Sequence, residues 1–185
     1  MAWLAALCAA ILFPLHPAWG LAQPAPSPTT QVVAPSRAAW LVEARAGCWL
    51  WHPDPDPEET VTWTGACDAN GRATGRGVVV WRAGNRVARG EVEYRDGKRN
   101  GHGVYTLANG NRYEGRFRDD KFEGHGVLTL PAGARYVGEW RDGRPNGHGA
   151  YKRVDGSLFV GEWRDGCFQD AERHAAVARP LAECP

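Results

Sequence analysis

The sequence predicts a mainly β protein, a single-layer antiparallel β-meander of stacked hairpins with short terminal helices. Three observations carry that prediction. Tyr113, Tyr136 and Phe159 stand 23 residues apart, and the same step joins Gly115, Gly138 and Gly161. A fixed period of roughly 20–50 residues marks a small unit that cannot bury its apolar face alone and must stack on copies of itself. Within each period, Tyr136, Gly138 and Trp140 alternate with Val137, Glu139 and Arg141, which is the period of two of a strand with two different faces. Finally, Asp96-Gly97, Asp142-Gly143 and Asp165-Gly166 interrupt the alternation, and Asp-Gly between alternating segments signals a hairpin because its glycine accepts positive φ.

Composition narrows the function classes. The 185 residues carry 22 Lys and Arg against 21 Asp and Glu, a formal charge of +1. Such a balance exerts no global pull on nucleic acid, and none is expected as a partner. The 23 glycines and nine tryptophans suit tight turns between short aromatic strands.

In chain order, residues 1–22 read as an export signal. Met1 to Phe13 is an uncharged apolar run, broken by Pro14 and Pro17, and Gly20-Leu21-Ala22 supplies a cleavage site. The run is shorter than the roughly 20 apolar residues of a membrane span. Its start carries only the α-amino charge, so an uncleaved anchor stays open as the alternative. Residues 23–36 are rich in Pro, Ala, Ser and Thr and read as a flexible linker. Residues 37–62 form an N-terminal capping segment: 37–46 is either a short helix or an extended lead-in, Cys48 to His52 is a buried strand, and the alternating prolines of 53–59 force a loop. That loop carries Asp54, Asp56, Glu58 and Glu59, but lacks the sixth-position glycine and terminal glutamate of a calcium loop, and so reads as a solvated acidic turn.

The repeats occupy 63–166, about four and a half units. The first is irregular, with Gly75 and Gly101 separated by 26 residues, as befits the end of a stack. Residues 113–135 and 136–158 are the regular copies, and a fifth stops after Gly166. The tail, 167–185, caps the stack, and the Ala-rich stretch from Gln169 to Arg179 predicts a closing helix.

Without the export signal four cysteines remain, Cys48, Cys67, Cys167 and Cys184, an even number in an exported chain, which favours disulfides. Three pairings exist. Cys48 and Cys67 flank the entry to the repeats and Cys167 and Cys184 bracket the tail, which predicts the pairs Cys48–Cys67 and Cys167–Cys184. No Cys-x-x-Cys pair favours zinc. The column His102, His125 and His148 is no metal site either, since equivalent positions two strands apart lie near 10 Å from one another. No metal or cofactor is expected, and no Gly-x-Ser-x-Gly turn or paired carboxylate points to catalysis.

Around Tyr136-Val137-Gly138-Glu139-Trp140-Arg141-Asp142-Gly143 and Asn146-Gly147-His148-Gly149, the chain closely resembles the MORN (membrane occupation and recognition nexus) repeat, over about Trp63 to Gly166. Its entry, with Cys48-Trp49-Leu50-Trp51 and Thr62 to Cys67, is similar to that of exported bacterial proteins with these repeats. The resemblance implies a β-meander serving to bind lipid, dimerise or scaffold partners. Two contact surfaces follow. An aromatic face of Tyr113, Phe117, Tyr136, Trp140, Phe159 and Trp163 would bind another protein or a second copy, the alternative being that these rings pack onto the strand glycines or under the terminal helix. Alternatively, an arginine column of Arg95, Arg118, Arg141 and Arg164, with the aromatic columns, would bind an anionic envelope lipid or glycan. Glu93, Glu139 and Glu162 lie on the arginines' face and offset their field. The expectation is a non-enzymatic exported binding or scaffolding protein, periplasmic or secreted.

Overall fold

The computed structural model of the chain describes residues 39–185. The expected export signal and linker, residues 1–22 and 23–36, lie outside the described residues.

The structure is built of strands. A two-stranded sheet pairs β1 (Ala39–Val42) with β2 (Trp49–His52). The lead-in left open between helix and extended chain is therefore a strand. The remaining strands are β3 (Thr60–Trp63), β4 (Ala66–Cys67), β5 (Ala73–Ala83), β6 (Arg86–Arg95), β7 (Lys98–Thr106), β8 (Arg112–Arg118), β9 (Lys121–Thr129), β10 (Arg135–Arg141), β11 (Arg144–Lys152), β12 (Leu158–Arg164), β13 (Cys167–Gln169) and β14 (His174–Ala176). They form a 12-stranded antiparallel sheet in which sequence neighbours from β5 to β14 pair in order, β3 lies outside β5, and β4 also pairs β5.

A belt of glycines crosses this sheet. Gly103 faces Gly115, Gly115 faces Gly126, Gly126 faces Gly138, Gly138 faces Gly149 and Gly149 faces Gly161, one glycine on each strand from β7 to β12. The belt makes room for tyrosine rings on one face. A Cβ at Gly126 would fall 2.3 Å from the Tyr113 hydroxyl, and one at Gly149 would fall 2.2 Å from that of Tyr136. The rings lie flat on backbone, and each hydroxyl donates to a carbonyl of its own strand, Tyr113 to Arg116 at 3.0 Å and Tyr136 to Glu139 at 3.1 Å.

The aromatic residues then cover one another. Tyr113 stacks on Phe122 at 3.7 Å and meets Trp140 edge-on at 5.4 Å, while Tyr136 meets Trp163 edge-on at 5.1 Å. Trp140 and Trp163 donate their indole N–H to the carbonyls of Gly126 and Gly149, each at 3.2 Å. Apolar area and polar handles are satisfied together, which makes one face of a single-layer sheet into a core.

The turns form a second ladder. Residues 97, 120, 143 and 166 stand 23 apart and occupy the same turn position. Each donates its backbone N–H to the preceding hairpin: Gly97 to Ala73, Asp120 to Arg99, Gly143 to Phe122 and Gly166 to Pro145, at 2.8–3.0 Å. Both ends of the ladder are capped, since Trp51 N–H donates to the Gly97 carbonyl at 2.8 Å and Val177 N–H to that of Gly166 at 2.9 Å.

The tail corrects the expected terminal helix. Residues 167–176 are the hairpin of β13 and β14, followed by a single 3-10 turn at Leu181–Glu183. Two forces override helix propensity. The Asp170 carboxylate accepts the backbone N–H groups of Glu172 and Arg173 at 3.1 and 2.8 Å, which closes a turn. Phe168, Ala175 and Val177 are then buried, a spacing that suits a strand on either side of that turn. The disulfides join Cys48 to Cys67 and Cys167 to Cys184, the pairs the sequence predicts.

Candidate functional site

The six aromatic residues expected to offer a contact face are buried: Tyr113, Phe117, Tyr136, Trp140, Phe159 and Trp163 are 0–6% exposed. Their contacts are with one another and with the glycine belt, so the exposed surface expected of them is absent. Alternation along a strand assigns them correctly to one face, but it does not reveal that the rings of successive hairpins close over each other.

The arginine column is exposed yet largely engaged. Arg95 donates to Asn100 and Arg141 to Asn146, each at 3.1 Å, and Arg118 pairs with Glu123 at 2.7 Å. These three acceptors also stand 23 apart and each receives the backbone N–H of the next turn, from Asp119, Asp142 and Asp165. The arginines therefore brace the residues that brace the turns. Arg164 ends the column. Of the glutamates expected to offset them, Glu162 instead pairs with His148 across β11 and β12.

On the face opposite the aromatic residues, two rows flank the glycine belt. One contains His102, Arg116, His125, Glu139, His148 and Glu162; the other contains Val104, Glu114, Val127, Val137, Ala150 and Val160. The side-chain positions of the belt residues belong to the tyrosine face, so on this face bare backbone separates the rows, and a groove of about 510 Å³ lies between them. Gly103, Gly115, Gly126 and Gly138 floor it, His102 and His125 form one wall, Val104, Glu114, Val127 and Val137 the other, and Arg76 and Arg135 also line it. Val137 and Val160 are 42% and 57% exposed. The sequence contains the signal for this groove in its Gly-His-Gly-Val and Tyr-Glu-Gly-Arg segments, but only the register aligns them.

A second concave site lies beside the acidic loop. It is lined by His52, Asp54, Asp56, Glu59, Arg86 and Arg99, with Trp81, Tyr105 and Leu107. Here the loop departs from the expected solvated turn. Asp56 is paired with Arg86, and the Glu59 side chain is turned inward, only 9% exposed, toward His52. Deeper in, Arg99 lies over the rings of Tyr105 and Phe117 at 4.5 and 5.4 Å and pairs with Asp120 at 2.7 Å. Burial works against the Arg99 charge, but the Asp120 carboxylate together with Tyr105 and Tyr94 more than offsets it and keeps the guanidinium charged. Burial, then the charge of Arg99, lowers the His52 pKa; burial, then Asp56, raises that of Glu59. The Tyr94 phenol is pushed far above its usual range by burial and remains neutral. Among the described residues no three His, Cys, Asp or Glu side chains come together as a metal site, and no helix is long and apolar enough to cross a membrane.

A family model described as the MORN repeat matches residues 69–86, 93–112, 113–135 and 136–158. These segments contain the belt from Gly103 to Gly149 and the turn-ladder residues Gly97, Asp120 and Gly143, whereas Gly161 and Gly166 lie beyond them. No curated protein matches the chain. Four segments of the chain thus match the MORN repeat, and they lie side by side in one antiparallel sheet closed at both ends by disulfide-tied caps.

Proposed function

We propose that this chain is a non-catalytic, exported binding or scaffolding protein that holds an extended segment of a protein partner in the groove over its glycine belt. The groove itself is the observation that supports the reading. Its floor is backbone, its valine wall runs from half-buried Val104 and Val127 to exposed Val137, and its length across four strands at about 4.8 Å spacing suits four or five extended residues at about 3.3 Å each. The contact surface is thus the face opposite the aromatic columns, whose burial leaves them to hold the sheet together. Export agrees with two disulfides and with the apolar start of the sequence.

Binding of an anionic lipid or glycan is the competing reading. It has lost its anchors, because three of the four arginines are bonded to neighbours and the aromatic residues are buried. The two readings separate in one experiment. A photocrosslinking residue at Val137 is expected to capture a protein from an envelope extract, with capture insensitive to salt and abolished by Val127→Glu. Flotation with anionic vesicles that collapses in salt, together with unchanged capture by the Val127→Glu variant, overturns the proposal.

A further inference from the structure

The cleft beside the acidic loop contains polar atoms that the fold leaves unused. It has a volume of about 200 Å³, several water volumes at about 30 Å³ each. Ala83, Ala88 and Leu107 give it an apolar wall, with Trp81 and Tyr105 alongside. On its polar side His52 Nδ1 and Glu59 Oε2 lie 3.4 Å apart. Both atoms are buried and have no hydrogen-bond partner among the described residues.

Charge selects the kind of group that fits. Three carboxylates, of Asp54, Asp56 and Glu59, line the cleft with two guanidiniums. Both guanidiniums are engaged, Arg86 by Asp56 and Arg99 by Asp120. Glu59 and Asp54 are left with no Lys or Arg partner among the described residues. A buried carboxylate without a cation is costly, and it either takes up a proton or gains a positive partner. The raised pKa of Glu59 is the mark of that unmet demand, and the lowered pKa of His52 leaves a neutral imidazole, which offers a lone pair at Nδ1 in the tautomer protonated at Nε2. Two acceptors at this separation are both within about 2.9 Å of a single nitrogen placed between them. An anionic ligand would face the Glu59 carboxylate, and a neutral alcohol would supply one donor and no charge.

We propose that this cleft binds an aliphatic primary ammonium group, whose nitrogen donates to Glu59 Oε2 and His52 Nδ1 while its alkyl stem lies along Ala83, Ala88 and Leu107. The chemistry is shared by a protein lysine side chain and by a free alkylamine. The site lies apart from the glycine-belt groove, and its test does not depend on that groove.

The test is an NMR titration of the full disulfide-bonded chain with n-butylammonium chloride, following the Trp81 indole and His52 ring signals. n-Butanol is the uncharged comparison. Saturable shifts with the ammonium ion are expected, and binding at least about tenfold weaker with the alcohol, the loss a charge-assisted hydrogen bond represents. Glu59→Gln is expected to weaken ammonium binding by a similar factor. Nα-acetyl-lysine methylamide identifies the source: tighter binding than butylammonium assigns the cleft to a protein lysine, weaker binding to a free amine. Equal binding of ammonium and alcohol, absence of saturation, or unchanged affinity in Glu59→Gln overturns the proposal. The comparison of ammonium with alcohol uses the parent chain alone and stands even where the variant fails to fold.

Discussion

At the residue scale, the belt glycines and the tyrosines form one device. Gly149 is missing a side chain because Tyr136 occupies its space, with the hydroxyl 2.2 Å and Cζ 2.6 Å from where a Cβ would stand. Gly149→Ala is expected to cost about 1–3 kcal/mol through overpacking. Tyr136→Phe loses the hydroxyl's bond to the Glu139 carbonyl, for about 1 kcal/mol. Since the hydroxyl is the nearest obstacle, the double variant is expected to be more stable than the sum of the two losses predicts. Full rescue is not expected, because Cζ stays in place. Urea midpoints of the four proteins measure this coupling, and strictly additive losses would show that ring and glycine do not share the space.

At the scale of the element, each turn of the ladder needs two residues of positive φ, and the sequence meets that need unequally. Asp96-Gly97, Asp142-Gly143 and Asp165-Gly166 place glycine second, whereas Asp119-Asp120 places an aspartate there, at φ 69°. Left-handed backbone disfavours a residue with a Cβ by about 1–2 kcal/mol. The compensation is Arg99, whose side chain is only 13% exposed and whose partner is the Asp120 carboxylate at 2.7 Å. Asp120→Gly therefore relieves the turn yet strands a buried guanidinium, which costs about 3–5 kcal/mol. The variant is expected to be less stable on balance, by about 2 kcal/mol or more, in chemical denaturation. A gain in stability would mean that the ion pair does not outweigh the turn. The pairs Lys121 with Asp142 and Arg144 with Asp165 share the separation of 21 residues but stand one position earlier in the repeat, where both partners are exposed, so they are surface pairs of small value.

At the scale of the whole molecule, each hairpin pairs only with its neighbours in sequence, so stability is close to a sum of local terms and the ends set where it fails. Both ends are tied. Cys48–Cys67 fastens the β1–β2 hairpin and Cys167–Cys184 fastens the tail, closing sequence separations of 19 and 17 residues. Reduction of each bridge is expected to cost about 3 kcal/mol in the loop-entropy model. The loss should be local. Hydrogen exchange of the reduced chain is expected to rise first in β1–β3 and β13–β14 while β8–β10 stay protected. Uniform loss of protection across the sheet would show that the caps control the stack as a whole.

The repeat period, the alternation and the Asp-Gly turns suffice by themselves to determine the antiparallel meander and its two faces, because each is a local rule repeated at a fixed step, and the pairing of the cysteines follows from their places at the two ends of the repeats. The tail departs from its helix propensity, since alanine content favours a helix only where no strand edge offers hydrogen bonds, and β12 offers one. What lies between distant residues was decided only in three dimensions. Burial of the aromatic columns depends on rings meeting across neighbouring hairpins, and the groove depends on the register of β7 to β10, which sets His102 and His125 along one side and Val104, Glu114, Val127 and Val137 along the other. His52 and Glu59 come together because the entry hairpin is held against the Gly97 turn, a contact between segments that share no repeat and follow no sequence period.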